Sequence, residues 1–401
     1  MTKENNFYRF KRIFIIVTDS MGIGEAPDAK AYNDLGANTF GHIATYAASF
    51  DIPTLKSLGI GNICPNPTIS AVFPPQGLVF RMQEQSTGKD TLTGHFELMG
   101  LKVTHPFPSF TDTGFPQALI EQLETFSNRK VIGNISASGT EIIKQLGEEQ
   151  LETGALIVYT SADSVLQIAA NEAVIPLEEL YRICAYARKI TLENKDWQVG
   201  RIIARPFIGT SKDNFTRTTN RHDYAIQPFD KTALNFLSEA GFETIAVGKI
   251  NDIFDGYGIT QSIRTLSNHD GMLKTINYLH QSFTGICFTN LVDFDALYGH
   301  RRDLEGYRKA IEEFDTDLAD LMSQMNDDDL LIVVADHGND PLHHGTDHTR
   351  EYVPFIGYSP RIQGKVLPDA STFATVAATI CDNFHVKMPS IGQSILGEIE
   401  K

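Results

Sequence analysis

The stretch DLLIVVADHGN, Asp329–Asn339, decides how the rest of the chain is read. Six apolar residues, several of them β-branched, run without a break and then give way to Asp, His, Gly and Asn. A run this short reads as a strand buried on both faces, with the polar residues at its carboxyl end. Four further stretches repeat the pattern: IFIIVTDS (Ile13–Ser20), LIVYTSAD (Leu156–Asp163), ETIAVGKI (Glu243–Ile250) and GICFTNLVDFD (Gly285–Asp295). In open α/β sheets, sites form outside the carboxyl ends of the strands. Five such runs predict an α/β fold with a mostly parallel sheet.

Between them lie helical patterns. Leu304–Met325 repeats apolar residues at spacings of three and four, and Thr232–Ala240, Gly271–His280 and Ser371–Asn383 do so over shorter lengths. Two more, Phe115–Phe126 and Pro176–Asn194, flank a middle region. There is no internal repeat and no low-complexity stretch.

The 401 residues carry 34 Lys and Arg against 50 Asp and Glu, a formal charge of −16. That balance argues against nucleic acid and anionic membrane as partners. An anionic substrate would need a local positive site, which metal ions could supply. Four scattered cysteines without CxxC spacing read as free thiols of a reducing compartment. No apolar run approaches the roughly 20 residues needed to span a bilayer. A cytoplasmic location without an obligate protein partner is the expectation.

Metal-type ligands crowd the late part of the chain. VVADHGNDPLHHGTDHTR, Val333–Arg350, holds four of the 12 histidines and three aspartates. DFDALYGH adds Asp295 and His300 behind another strand-like run, and Asp19 ends the first. A single Asp-His pair after a strand is usually a turn or a cap; several such groups together are harder to explain that way. Mixed carboxylate and imidazole donors suit zinc, manganese or iron better than calcium. Because early and late groups are separated by a long middle region, the expected organisation is a discontinuous core, 1–103 with 229–401, and an inserted α+β domain, 104–228. The proline-bearing THPFPSF (Thr104–Phe110) and AIQPFD (Ala225–Asp230) suit the two crossings.

STGKDTLTGH, Ser86–His95, is not a nucleotide-binding P-loop: the leading Gly is absent and Asp90 stands where Ser or Thr should follow Lys89. It reads instead as a capped helix start bearing a hydroxyl, Thr91, where backbone N–H groups favour an arriving phosphate. A hydroxyl is a weak nucleophile at neutral pH, and metal coordination activates it. Threonine and paired metals together point to phosphoryl transfer.

IIVTDSMGIGEAPDA, STGKDTLTGHFELMG, TSADSVLQIAA, NRHDYA, LVDFDALYGHRRD and ADHGNDPLHHGTDHTREYVP, in this order, resemble the phosphopentomutase family of the alkaline phosphatase superfamily. The resemblance spans Arg12 to Met388 and implies an alkaline-phosphatase-like core whose insertion is a cap. It implies Thr91 as the phosphorylated residue. It implies two manganese ions, one on Asp19, Asp336 and His337 and the other on Asp295, His300 and His348. Substrate contacts would fall on Ser161, Asp163, Arg201, Arg217 and Lys249. The implied reaction interconverts ribose 1-phosphate and ribose 5-phosphate, and the deoxy forms, with a sugar bisphosphate such as glucose 1,6-bisphosphate as activator. The competing readings are a two-metal phosphatase, a phosphodiesterase or a cofactor-independent phosphoglycerate mutase, and, from another class, a non-catalytic metal or sugar-phosphate binding module. His343 and His344 are expected in a solvated loop, His95 and His222 in supporting roles, and Arg350 either on phosphate or in a salt bridge.

Overall fold

The computed structural model describes residues 8–46, 49–64, 66–161 and 164–399. The chain divides into two compact units, residues 1–105 with 228–401, and residues 106–227. Along the chain the first unit supplies β1 (Arg12–Thr18) and β2 (Leu78–Met82). The second supplies β3 (Val131–Ser136), β4 (Leu156–Thr160), β5 (Val165–Asn171), β6 (Arg201–Ile208), β7 (Thr216–Arg217) and β8 (His222–Ala225). The first then resumes with β9 (Glu243–Val247), β10 (Gln261–Ile263), β11 (Gly285–Leu291), β12 (Asp329–Val334), β13 (Val353–Tyr358) and β14 (Lys365–Val366).

In the first unit these strands form one sheet in the order β10-β9-β11-β1-β12-β13-β2-β14. It is a mostly parallel α/β sheet, with β13 antiparallel to both of its neighbours. β1, β11 and β12 are buried along their whole lengths, as their continuous apolar runs require of central parallel strands. Their register is exact at the lower end, where Arg12 pairs with Gly285 on one side and Asp329 on the other. There the Arg12 guanidinium forms two hydrogen bonds to the Asp329 carboxylate, at 2.7 and 2.8 Å. The opposite, carboxyl ends of the same three strands deliver Asp19, Asp295 and Asp336. The long helix Leu304–Ser323 buries Tyr307, Ile311, Phe314, Leu318 and Leu321, the three-and-four spacing read from sequence.

Of the five strand-like runs, LIVYTSAD does not join this sheet. It forms β4 of the second unit, whose sheet runs β3-β4-β5-β6-β7 with β8 paired to β6, in mixed directions. An apolar run shows burial on both faces but does not show which sheet supplies it. Here two helix layers do so: Leu166, Ile168 and Ile202 pack with the helices Gln117–Ser127 and Leu177–Glu193, while Ile157, Ala169 and Phe207 pack with Gly139–Thr153. All four cysteines are buried free thiols. Among the described residues, no helix is long and apolar enough to cross a membrane.

Candidate metal centre

The centre lies at the carboxyl ends of β1, β11 and β12. Asp19 directly follows β1, and Ser20 after it adopts a left-handed φ of 72°, rare for a residue with a Cβ. That turn aims the Ser20 N–H at Asp336 Oδ1, 3.1 Å away, so the first strand's exit orients the carboxylate at the end of β12. Asp295 sits in a π-helical turn, Phe294–Gly299, that also brings round His300. His337 follows Asp336, and His348 returns on the next loop.

Six predicted metal ligands converge here. Nε2 of His337 lies 3.5 Å from Asp19 Oδ1 and 3.3 Å from Asp336 Oδ2. Nε2 of His300 lies 3.1 Å from Asp295 Oδ2 and 3.1 Å from Nε2 of His348, which is itself 3.4 Å from Asp295 Oδ1. Ligand atoms of Asp295, His300 and His348 fall within 4.8 Å of one another, and so do those of Asp19, Asp295 and His337. Asp295 therefore joins the two groups. His337 Nδ1 is 3.0 Å from the Gly338 carbonyl and His300 Nδ1 is 2.7 Å from that of Thr346. Each ring turns Nδ1 outward to a carbonyl and Nε2 toward the cluster, the usual orientation of a metal-binding imidazole.

The electrostatics ask for a cation. Asp19, Asp295 and Asp336 are all buried, and Asp19 Oδ1 and Asp336 Oδ2 are faced only by imidazole nitrogens, at 3.1–3.5 Å. Burial, reinforced by the neighbouring Asp336 and Asp295, pushes the Asp19 carboxyl up to about 6. Burial also pushes Asp336 upward, but the imidazoles of His337 and His95 outweigh it and hold that carboxyl low. Burial disfavours charge on His337, yet Asp336, Asp19 and Asp295 drive its pKa well above the ordinary range. Three buried carboxylates facing the Nε2 atoms of three imidazoles are a donor set that fits divalent ions.

Thr91 stands at the rim. It opens the helix Thr91–Leu98, and its Oγ1 is 3.3 Å from His337 Nε2. Asp90 caps that helix by accepting from Leu92 N and Thr93 N, at 3.0 and 3.1 Å. Those two N–H groups are thus taken by the cap, and the expectation that they would face an arriving phosphate does not hold for them. The helix reaches the centre through Gly94: a Cβ there would stand 2.1 Å from the Asp336 carbonyl oxygen. Deeper along, the buried Glu97 carboxylate accepts from Gln85 N, Ser86 N, Thr372 Oγ1 and Phe373 N.

Supporting residues complete the set. His95, on the helix turn below Thr91, places Nδ1 2.9 Å from the Thr91 carbonyl and 3.1 Å from Asp336 Oδ2. Asn290 sends its amide to Asp19 Oδ2 at 3.0 Å and toward His95 Nε2 at 3.3 Å. Asn339 donates to Asp295 Oδ1 at 2.7 Å. Sequence reasoning missed both asparagines. The one available signal was Asn290 itself, an amide inside the apolar run of β11. Arg350 is buried and bound to Glu84 and Asp28, a salt bridge inside the first unit.

Among the expected substrate contacts, Lys249 is half-buried in the first unit and close enough for its charge to oppose the rise at Asp19. Ser161, Arg201 and Arg217 belong to the second unit, and Asp163 lies outside the described residues. In that unit the helix Gly139–Thr153 begins without a side-chain cap. A Cβ on Gly139 would lie 2.5 Å from the Tyr159 hydroxyl and 3.2 Å from Arg217 Nη1. The Tyr159 side chain is fully buried, and its hydroxyl lies near the Arg205 and Arg217 guanidiniums. A helix start without a side-chain cap, the Arg217 guanidinium and the Tyr159 hydroxyl lie close together there.

A family model described as the metalloenzyme superfamily matches residues 11–388. Among solved structures, the PH0037 protein from Pyrococcus horikoshii is 11% identical with a TM-score of 0.48, covering 94% of this chain and 98% of that one. Leishmania mexicana phosphoglycerate mutase, determined at low cobalt concentration, is 12% identical with a TM-score of 0.48, covering 98% of each chain. A protein in the alkaline phosphatase superfamily from Vibrio parahaemolyticus is 13% identical with a TM-score of 0.45, covering 98% of this chain and 72% of that one.

Proposed function

This chain belongs to the metalloenzyme superfamily, and within it we propose a phosphopentomutase, interconverting α-D-ribose 1-phosphate and D-ribose 5-phosphate and their 2-deoxy forms. The observation that carries the reading is Thr91 Oγ1, 3.3 Å from His337 Nε2 on the rim of the buried carboxylate cluster. Asp19, Asp336 and His337 would hold one divalent ion and Asp295, His300 and His348 a second, with manganese the proposed pair. Bound there, the ions supply positive charge against the transferring phosphoryl oxygens and lower the pKa of the attacking hydroxyl.

The chain's own residues do the rest. Asp90 and His95 fix the helix start, so the Thr91 hydroxyl keeps its place. Phosphorylated Thr91 gives its phosphoryl group to the free hydroxyl of a bound pentose phosphate. The Thr91 O–P bond breaks, a sugar O–P bond forms, and the proton of the sugar hydroxyl ends on the Thr91 oxygen. The 1,5-bisphosphate then returns its other phosphate to Thr91, and the product leaves. A sugar bisphosphate such as glucose 1,6-bisphosphate would phosphorylate Thr91 at the outset. The contacts proposed for the rest of the sugar phosphate are those the resemblance implies, Ser161, Asp163, Arg201, Arg217 and Lys249. We also assign that inserted unit the task of keeping water from the phosphothreonine, as a mutase requires.

The test is an assay with ribose 1-phosphate, manganese and a trace of glucose 1,6-bisphosphate, following ribose 5-phosphate and inorganic phosphate with a chelator control. Chelator-sensitive isomerisation with little phosphate release is the expected result. Phosphate release alone would move the protein to the phosphatases. Metal binding without turnover of any phosphate ester would leave a binding module.

A further inference from the structure

The phosphoryl-transfer reading leaves part of the histidine-rich stretch without a role: His343 and His344, which stand apart from the six clustered ligands. Neighbouring residues in a loop usually send their side chains apart. Here the two rings lie 4.2 Å apart, and both Nε2 atoms turn to one place. His344 Nε2 is 2.6 Å from the Asn33 carbonyl oxygen, and His343 Nε2 is 3.4 Å from the same oxygen. Asn33 presents that carbonyl through a left-handed φ of 61° at the end of a short 3-10 turn. Beside it, the buried Asp34 carboxylate puts Oδ1 3.9 Å from His343 Nε2. One ligand atom from each of Asp34, His343 and His344 lies within 4.8 Å of the others.

A hydrogen bond from His344 to the Asn33 carbonyl leaves the second imidazole facing the same oxygen at longer range. His344 Nε2 also lies 3.1 Å from Asn33 Nδ2. A single ring nitrogen cannot donate to the carbonyl and accept from the amide at once. With the Asn33 amide turned so that its oxygen faces His344, a bound cation would take both imidazoles, the carbonyl and the carboxylate as lone-pair donors. Donors about 2.0–2.2 Å from one small ion stand roughly 3.4 Å apart when arranged tetrahedrally; the 3.4 Å from His343 Nε2 to Asn33 O matches this, whereas the 2.6 Å from His344 Nε2 would open on loading. Lys89 does not close the site. It bonds both Asp34 oxygens, Oδ2 at 3.0 Å and Oδ1 at 3.3 Å, and has a second partner in Asp347 Oδ2 at 3.4 Å, to which it can turn when an ion takes the carboxylate.

We infer that Asn33 O, Asp34, His343 and His344 form a third, separate site for a borderline divalent ion of the zinc class. Two imidazoles with oxygen donors select such an ion over calcium or magnesium. His344 is exposed, so the site can load from solvent. Its position gives the ion a task. The loop it ties to residues 33–34 runs from His337 to His348 and also supplies the Thr346 carbonyl that orients His300. The third ion is a clamp on the segment that presents the paired centre's imidazoles.

The test is a metal count. Protein stripped with chelator is dialysed against zinc, and bound metal per chain is measured by mass spectrometry for wild type and for His343→Gln/His344→Gln. The double variant is expected to hold one ion fewer, with an unchanged circular dichroism spectrum. An equal count overturns the inference. A second measurement uses Asp295→Ala/His337→Ala, which breaks the paired centre. One zinc per chain should persist there and vanish when the two glutamines are added; no zinc in that background also overturns it. Neither readout depends on the reaction proposed above.

Discussion

Gly94→Ala isolates the packing that brings Thr91 to the metal ligands. The added Cβ would stand 2.1 Å from the Asp336 carbonyl oxygen, 2.8 Å from its carbon and 2.9 Å from the Asp336 Cβ. Carbon and oxygen settle at about 3.3 Å or more, so the helix must retreat by about 1 Å. Neither neighbour yields cheaply, since the contact is backbone at the end of a fully buried strand. Thr91 lies one turn upstream on the same helix and moves with it. A 1 Å misplacement of a reacting group costs on the order of 100-fold in rate. Stability responds less. Overpacking costs about 1–3 kcal/mol, and Ala regains about 1 kcal/mol over Gly in a helix, leaving a net loss of roughly 0–2 kcal/mol. That is a melting shift of a few degrees at most for a unit this large. The assay compares the rate of Thr91 phosphorylation by glucose 1,6-bisphosphate, followed by intact-protein mass, with the melting temperature. Gly397→Ala, where nothing lies within 4 Å of the new carbon, is the control. A Gly94→Ala protein that phosphorylates at the wild-type rate would refute the claim that this contact sets the position of Thr91.

Thr91→Ala should abolish phosphoenzyme formation while leaving the metal count unchanged; a phosphorylated variant would point to another nucleophile. Asn290→Ala removes the amide shared by Asp19 and His95 and should weaken divalent-ion binding about 10- to 100-fold by calorimetry, the usual effect of losing a residue that orients a ligand. Unaltered affinity would make that amide incidental. Burial raises the Glu351 carboxyl from an ordinary glutamate value to about 7. The unfolded chain gives up this proton first, so the group's contribution favours folding below about pH 4.5 and is lost as pH rises to 7. In melts of chelator-treated protein across that window, Glu351→Gln should flatten the decline; an identical slope in both proteins would exclude Glu351 as its source.

Much of the first unit was legible because burial leaves a direct mark on composition. β1, β9, β11 and β12 are apolar runs, and parallel strands covered on both faces have little freedom to be anything else. Their polar ends were legible for the same reason, since a carboxylate directly after such a run cannot reach bulk water without a turn. What sequence did not show was set by partners distant along the chain. The placement of β4 depends on helices that cover it, not on its own residues. The cap on the Thr91 helix was readable as a cap, but not that Asp90 would take the N–H groups of Leu92 and Thr93. Asn290, one amide among apolar neighbours, acquires meaning only when Asp19 and His95 arrive from two other segments. Arg350 offered no preference between phosphate and carboxylate until Glu84 and Asp28 were placed beside it.

The register of β1 has a consequence for synthesis. This strand lies between β11 and β12, so its two edges find no partner until the chain beyond Gly285 has been made. At about 5–20 residues per second, an apolar segment near the amino terminus waits on the order of tens of seconds after it is made. The second unit is one continuous stretch and can close on itself within that interval. The nascent chain is thus expected to present a folded middle and an unpaired, aggregation-prone first strand, a natural client for chaperones that shield exposed strands at the ribosome.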